Sequence, residues 1–255
     1  MQNLSKEEIR QTVNEHYSKI AEKENGCCGE NCCTVDGTCS TSEANGYSTE
    51  ELASLPEGAD LGLGCGNPTG IASIKPGETV LDLGSGAGID CFIASKHTGE
   101  SGKVIGIDMS SSMLLKARGN KAKGNYSNVD FRLGEIENLP VADNSIDIVI
   151  SNCVINLSTE KHKVFGEIYR VLKKGGRIAV SDIVSLKPLS EDIKSDPDLY
   201  KGCMAGASSV SEVETMLKDA GFNQIEVTHS IGDEDFAKKS ENKDFVFSAT
   251  IKAVK

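Results

Sequence analysis

Three cysteines stand in surroundings that suit a thiol to chemistry. Cys65 lies in the Gly-rich run Leu61-Gly62-Leu63-Gly64-Cys65-Gly66-Asn67-Pro68, Cys153 in Ser151-Asn152-Cys153-Val154-Ile155-Asn156-Leu157, and Cys203 in Tyr200-Lys201-Gly202-Cys203-Met204-Ala205-Gly206. Cys153 closes an apolar run that reads as a strand, so its thiol is expected at the carboxyl end of a sheet, where doubly wound folds bind their ligands. Cys203 follows the next strand and a short helical connection, and can approach the same mouth. The glycines around Cys65 give a loop flexible enough to close over both. Three converging thiolates make a soft-ligand site, suited to a thiophilic ion rather than to magnesium or calcium. A cysteine taken singly is more often a small buried apolar group. That reading is kept for Cys91, whose neighbours Ile89, Phe92 and Ile93 mark a packed helix face.

A second motif belongs to a cofactor. Val80-Leu81-Asp82-Leu83-Gly84-Ser85-Gly86-Ala87-Gly88 runs from a buried strand into a helix, with glycines where the backbone must turn tightly and approach a ligand. Its G-x-G-x-G spacing is not the G-x-G-x-x-G dinucleotide fingerprint, and Asp82 would crowd a pyrophosphate with negative charge. A cationic sulfonium meets no such objection. Asp108 ends the second strand, Ile105-Gly106-Ile107-Asp108, where a carboxylate can accept hydrogen bonds from both ribose hydroxyls. Asp82, Gly84, Gly86, Asp108 and the adjoining Met109 are therefore the candidate cofactor residues, with S-adenosyl-L-methionine the cofactor they suit.

These residues need a sheet to hold them. Thr79–Leu83, Val104–Asp108, Val129–Arg132, Ile146–Ser151 and Arg177–Val184 read as strands; Ile89–Lys96, Ser112–Lys123 and Lys161–Lys173 between them read as helices. Ser211–Ala220 adds a helix, and Gln224–His229 with Phe245–Ala253 a closing antiparallel pair. The fold class is α/β: a doubly wound, mostly parallel seven-stranded sheet of the Rossmann-like type. At the start, Ser5 and Glu8 fit a capping box for an amphipathic helix over residues 5 to 24 carrying Ile9, Val13, Tyr17 and Ile20. Residues 26 to 76 read as a loop-rich lid with one short helix at Thr49–Ser54. The expected division is a helix and Cys/Gly-rich lid over residues 1–75, and a cofactor-binding domain with substrate-site elements over 76–255. The acidic residues Asp182, Glu191, Asp192, Asp196 and Asp198 read as a solvated face.

The net charge of -11 leaves no broad basic surface for nucleic acid or anionic membrane. No run of about 18 apolar residues suggests a span, and the polar, amphipathic start does not read as a leader. A cytoplasmic protein is expected. Nine cysteines, an odd number, cannot all pair within one chain; in a reducing compartment they serve as ligands or working thiols.

A sulfonium cofactor beside converging thiols points to one chemistry above others. Trivalent arsenic favours three sulfurs in a pyramid and keeps a nucleophilic lone pair, so methyl transfer to it needs no base to remove a proton. His16, His97, His162 and His229 accordingly stand in no motif that would present one.

At these residues the chain resembles the arsenite S-adenosylmethionine methyltransferases, from the N-terminal helix to about Gly206, most specifically in the pairing of Leu-Gly-Cys-Gly-Asn-Pro with Ser-Asn-Cys-Val-Ile-Asn-Leu. The resemblance implies arsenite or its thiol conjugates as substrate, arsenic bound by Cys65, Cys153 and Cys203, and a small thiol or thioredoxin-like protein as reductant. It implies that Tyr17 lies over the cofactor. Gly134-Glu135-Ile136-Glu137 and the run Leu139–Asp147 resemble class I methyltransferase regions, which would set Ile136 and Glu137 at the adenine and Asn152 near the methionine part. An N-terminal cysteine is implied to exchange thiol and disulfide with Cys65. Cys27, Cys28, Cys32 and Cys33 are the candidates, in a cluster that also contains Cys39 and is open to three readings: redox relay, accessory metalloid or zinc binding, or a disordered tail. Longer relatives carry a further C-terminal domain. A short form without it leaves the number of methyl groups open. Two other functions fit the residues less fully: methylation of a small organic acceptor, and non-catalytic binding of a soft metal by thiols.

Overall fold

The strands at the centre carry apolar residues at consecutive rather than alternate positions, as strands do when both faces are covered. In the computed structural model, which describes residues 5–22, 42–124, 126–194, 196–229 and 246–255, such strands form the middle of one twisted sheet. In chain order the elements are α1 (Lys6–Glu22), α2 (Thr49–Ala53), α3 (Pro68–Ala72), β1 (Thr79–Leu83), α4 (Ile89–Thr98), β2 (Lys103–Asp108), α5 (Ser111–Lys123), β3 (Val129–Leu133), β4 (Ile146–Asn152), a 3-10 turn (Ile155–Leu157), α6 (Lys161–Val171), β5 (Leu172–Ser185), α7 (Glu191–Lys194), α8 (Pro197–Lys201), β6 (Ser208–Ser209), α9 (Val210–Ala220), β7 (Asn223–His229) and β8 (Val246–Val254).

The order across the sheet is β3-β2-β1-β4-β5-β8-β7, the expected seven-stranded path, and the two-residue β6 also pairs with β5. β3, β2, β1, β4 and β5 run parallel, and β8 inserts antiparallel between β5 and β7. The chain leaves β1 toward β2 on one side and returns to β4 on the other. The crevice above the carboxyl ends of β1 and β4 is thus a topological switch point, where ligands bind. Asp108 ends β2 and Cys153 directly follows β4, so the sheet delivers both to that crevice.

Local signals account for the helix ends. The Ser5–Glu8 capping box forms, the Ser5 amide donating to Glu8 Oε2 at 2.7 Å and the Glu8 amide to Ser5 Oγ at 3.3 Å. One stripe of α1 buries Ile20 and Ala21 against Leu61, Ala87 and Met113. Asn67 caps α3, accepting from the Gly70 amide at 2.8 Å, with Pro68 in the first turn. That helix falls where the sequence reads as loop, because five residues are too few to show a period; the cap and proline are its signal. β5 starts at Leu172 rather than at Arg177, crossing Gly175 and Gly176 with a register shift against β4 between Ile146 and Ile148. Cys27, Cys28, Cys32, Cys33 and Cys39 lie outside the described residues.

Candidate active site

The glycine turn after β1 holds three left-handed residues, Gly84 at φ 68°, Gly86 at 52° and Gly88 at 102°. A Cβ on Gly84 would come within 2.5 Å of Val154 Cγ2, so the turn packs directly on the segment that carries Cys153. A Cβ on Gly86 would meet nothing within 4 Å, so this residue faces open space. The Gly86 amide donates to Asp108 Oδ2 at 2.9 Å, and the Ser110 amide to Asp108 Oδ1 at 2.8 Å. Two backbone donors thereby fix the carboxylate in the cleft wall.

The cleft encloses about 1200 Å³, counted out to its open mouth, and Gly84, Gly86, Asp108, Met109, Ile136, Glu137, Asn152, Cys153 and Tyr17 all line it. Glu137 is buried and accepts a hydrogen bond from Ser158 Oγ. Asp82 is not part of this wall. It sits behind the turn, 2 % exposed, accepting from the Cys91 thiol at 3.2 Å. Cys91 is fully buried, as its apolar neighbours suggest.

Three carboxylates share this quarter. Burial pushes Asp82 well above the ordinary range, helped by the nearby Asp90; it pushes Asp90 to about 7, and it raises Asp108. Burial is the largest influence on all three, and Lys6 and Arg10 line the same cleft from α1. The acidic wall beside the glycine turn disfavours a pyrophosphate there and suits a cationic ligand. The open cradle at Gly86 and the pinned Asp108 therefore fit S-adenosylmethionine, whose chemistry is an electrophilic methyl on a sulfonium.

Of the three thiols, Cys153 lines this cleft, and Cys65 and Cys203 adjoin it through their contacts with Cys153. The loop bearing Cys65 is held tightly: a Cβ on Gly64 would lie 2.7 Å from Asn152 Nδ2, and one on Gly66 2.8 Å from Ser181 Oγ. The Cys65 amide donates to Asn152 Oδ1 at 3.0 Å, and Ser248 Oγ donates to the Cys65 carbonyl. Cys153 has a left-handed backbone at φ 54°, as does Cys203 at 61°, conformations rare for residues with a Cβ that cluster at functional sites.

Cys65 and Cys153 are joined as a disulfide, with Cα atoms 6.0 Å apart. The family resemblance implies that Cys65 exchanges thiol and disulfide with an N-terminal cysteine, and those cysteines lie outside the described residues; in this structure Cys65 is bonded to Cys153. Cys203 donates its thiol to the Cys153 carbonyl at 2.9 Å. The three expected thiols are thus neighbours, but two of them are spent on each other and must be reduced before they can ligate. Burial, aided by Asp182, pushes the Cys203 thiol well up, so it rests protonated.

Asp182 corrects one expectation. It is 2 % exposed rather than solvated, since β5 lies between β4 and β8. Its carboxylate accepts from the amides of Ile183 at 2.8 Å and Asn156 at 3.3 Å, and burial pushes it to about 6. It lies within 4.8 Å of both sulfurs of the disulfide. Glu191 and Asp192 are exposed as expected; the side chain of Asp198 lies outside the described residues. Two further residues at the site have no signature in the sequence, Asp90 and Tyr47. The tyrosine hydroxyl donates to Asp90 Oδ1 at 2.8 Å.

The profile of a methyltransferase-domain family matches residues 74–221. The chain is 48 % identical over 264 residues to an arsenite methyltransferase from Halobacterium salinarum, covering 98 % of this chain and 67 % of that protein. It is 32 % identical over 259 residues to an arsenite methyltransferase from Aquipseudomonas alcaligenes, covering 97 % of this chain and 72 % of the relative. Among solved structures, the arsenic(III) S-adenosylmethionine methyltransferase from Chlamydomonas reinhardtii superposes with a TM-score of 0.66 at 34 % identity, over 84 % of this chain and 73 % of that one. With the sheet order, the glycine turn and the clustered thiols, these likenesses show that the chain belongs to the arsenite methyltransferase family of S-adenosylmethionine-dependent enzymes.

Proposed function

We propose that the protein transfers methyl groups from S-adenosylmethionine to trivalent arsenic held by Cys65, Cys153 and Cys203. The observation that carries this reading is that Cys153 lines the cofactor cleft while its sulfur is bonded to Cys65 and its carbonyl receives the Cys203 thiol.

A thiol reductant first supplies two electrons and two protons to open the Cys65–Cys153 bond. Each thiol then replaces one hydroxyl of arsenous acid and releases one water, leaving arsenic on three sulfurs with its lone pair free. The lone pair would form the arsenic–carbon bond as the methyl–sulfur bond of the sulfonium breaks and S-adenosylhomocysteine leaves; arsenic is thereby formally oxidised by two electrons, which the thiol reductant returns, and the residues have no substrate proton to remove. Their work is to orient: the Cys65 loop, clamped on Asn152, Ser181 and Ser248, and the left-handed Cys153 fix arsenic relative to the cleft. Such alignment is worth up to about 7–11 kcal/mol when near ideal. Asp108 would hold the ribose, Ile136 and Glu137 would border the adenine, and Tyr17, whose hydroxyl donates to the Lys201 carbonyl at 3.2 Å, would cover the cofactor from α1.

We assign residues 1–75 to a helix and lid and 76–255 to the catalytic domain. Either a small thiol or a thioredoxin-like protein is the reductant, and one of Cys27, Cys28, Cys32 or Cys33 is the relay to the site. A reducing cytoplasm suits a chain with nine cysteines. No helix among the described residues is long and apolar enough to cross a membrane. Replacing Cys153 or Cys203 by serine should abolish transfer to arsenite while leaving S-adenosylhomocysteine binding intact. Retained transfer to arsenite in both variants would remove these thiols as its ligands, and no transfer by reduced wild type that binds the cofactor would point to an organic acceptor.

A further inference from the structure

Asp90 opens α4, 4 % exposed, and its carboxylate lines the cofactor cleft beside Ser85 and Gly86. It accepts from the Tyr47 hydroxyl at 2.8 Å; that oxygen accepts from Asn152 Nδ2 at 3.0 Å. The Asn152 amide then brackets Cys65, with Nδ2 donating to the Gly66 carbonyl at 2.7 Å and Oδ1 accepting from the Cys65 amide at 3.0 Å. One chain of hydrogen bonds therefore runs from the cleft to the peptides on both sides of Cys65. Burial pushes Asp90 to about 7, opposed by hydrogen bonding from Tyr47 and Asn152; the nearby charges that raise it further are Glu51 and Asp60, with Asp82 in mutual repulsion, while Lys6 and Arg10 line the same cleft from α1. A buried carboxylate without a cation of its own is costly unless its ligand brings one. With the adenosine assigned to Asp108, Ile136 and Glu137, the amino-acid end of the cofactor falls toward Asn152 and Cys153. That end carries an ammonium.

We propose that Asp90 receives the cofactor's ammonium group, and that Tyr47 and Asn152 transmit this contact to the Cys65 loop, so that cofactor binding and the seating of Cys65 are coupled. Asp90 is a cofactor-contacting residue in this scheme, and Tyr47 and Asn152 are positioning residues that act through Cys65. The inference rests on the cofactor reading and is independent of the arsenic reading. Coupling of this kind is reciprocal and is typically about 5–150-fold.

Two measurements on the full-length, reduced protein test it. The first is calorimetric affinity for S-adenosylhomocysteine and for 5′-methylthioadenosine, which lacks the amino-acid end. Asp90→Asn should weaken the former about tenfold or more and the latter less than about twofold. Equal losses for both, or no loss, would overturn the role of Asp90; failure of both to bind wild type would remove the cofactor reading with it. The second keeps the carboxylate in place: in Tyr47→Phe, Cys65 alkylation by iodoacetamide is followed by peptide mass spectrometry with and without saturating S-adenosylhomocysteine. Wild type should show about fivefold or greater protection by the ligand, and Tyr47→Phe a ratio near one. Undiminished protection in Tyr47→Phe, or none in wild type, would overturn the coupling.

Discussion

Replacing Gly64 by alanine should unseat the Cys65 loop without unfolding the protein. The new Cβ would stand 2.7 Å from Asn152 Nδ2 and 2.8 Å from its Oδ1, on a backbone at φ 114°. The left-handed backbone alone costs about 1–2 kcal/mol. Moving the Asn152 amide aside breaks its bonds to the Cys65 amide, the Gly66 carbonyl and the Tyr47 hydroxyl. At about 0.5–1.5 kcal/mol net for each, these add about 2–4 kcal/mol. Once the Cys65–Cys153 bond is reduced, the sum, about 3–6 kcal/mol, can be avoided by letting residues 62–67 swing out, so the measurement is made on reduced protein. The seated population should therefore fall by about a hundredfold or more. Amide hydrogen exchange reads this directly, because the Cys65 amide donates to Asn152 Oδ1. Its exchange should accelerate about a hundredfold while the amides of β1 and β4 keep wild-type rates. Asn152→Ala should give a similar acceleration, and the double variant little more, because both changes remove one set of contacts. An unchanged rate at Cys65 in Gly64→Ala would mean that the alanine is accommodated without unseating the loop.

Three further outcomes follow. Asp90 is held at about 7 by burial, above the ordinary carboxylate value of about 3.9, so the folded state binds its proton more tightly than the unfolded state. Its contribution is then complete below about pH 4 and is lost as pH rises to about 7. Ligand-free wild type should gain more in Tm than Asp90→Asn between pH 7.5 and 5.5, and parallel profiles would contradict this. Gly86→Ala should cost only about 1 kcal/mol in urea unfolding, as its Cβ touches nothing, yet weaken S-adenosylhomocysteine about tenfold by projecting into the cleft; wild-type affinity would mean the cofactor lies elsewhere. Asp182→Asn removes a negative charge that helps hold the Cys203 thiol up, so Cys203 in the reduced protein should alkylate faster at pH 9. No change would leave burial as the whole cause.

What the sequence discloses is what is encoded locally. The glycine turn, Asp108, the capped α1 and the strand before Cys153 are each carried by a few adjacent residues, and the structure sets Gly84, Gly86, Asp108 and Cys153 around one cleft. The seven-stranded path follows from apolar runs alternating with amphipathic ones. Contacts made across long separations are invisible at that level. The Cys65–Cys153 bond spans 88 residues, and no spacing distinguishes it from pairing with the N-terminal cluster. Asp182 reads as solvated because its burial is completed by β8, far along the chain, which lies against β5 in antiparallel register with Ala249 opposite Asp182. Tyr47 and Asp90 meet only because the segment before α2 folds over α4. Asp82 belongs to the motif by position, but its side chain turns inward to Cys91 instead of to the cleft.

Arsenic on these thiols is proposed to accept the cofactor's methyl group. Transfer from methyl-labelled S-adenosylmethionine to arsenite, with excess thiol reductant and chromatographic separation of the products, tests it most directly. Wild type should give labelled methylarsenicals, with none without reductant, because Cys65 and Cys153 then remain paired, and none from Cys153→Ser. Label transfer that proceeds undiminished in Cys153→Ser, or none in a reduced wild type that binds the cofactor, would contradict it.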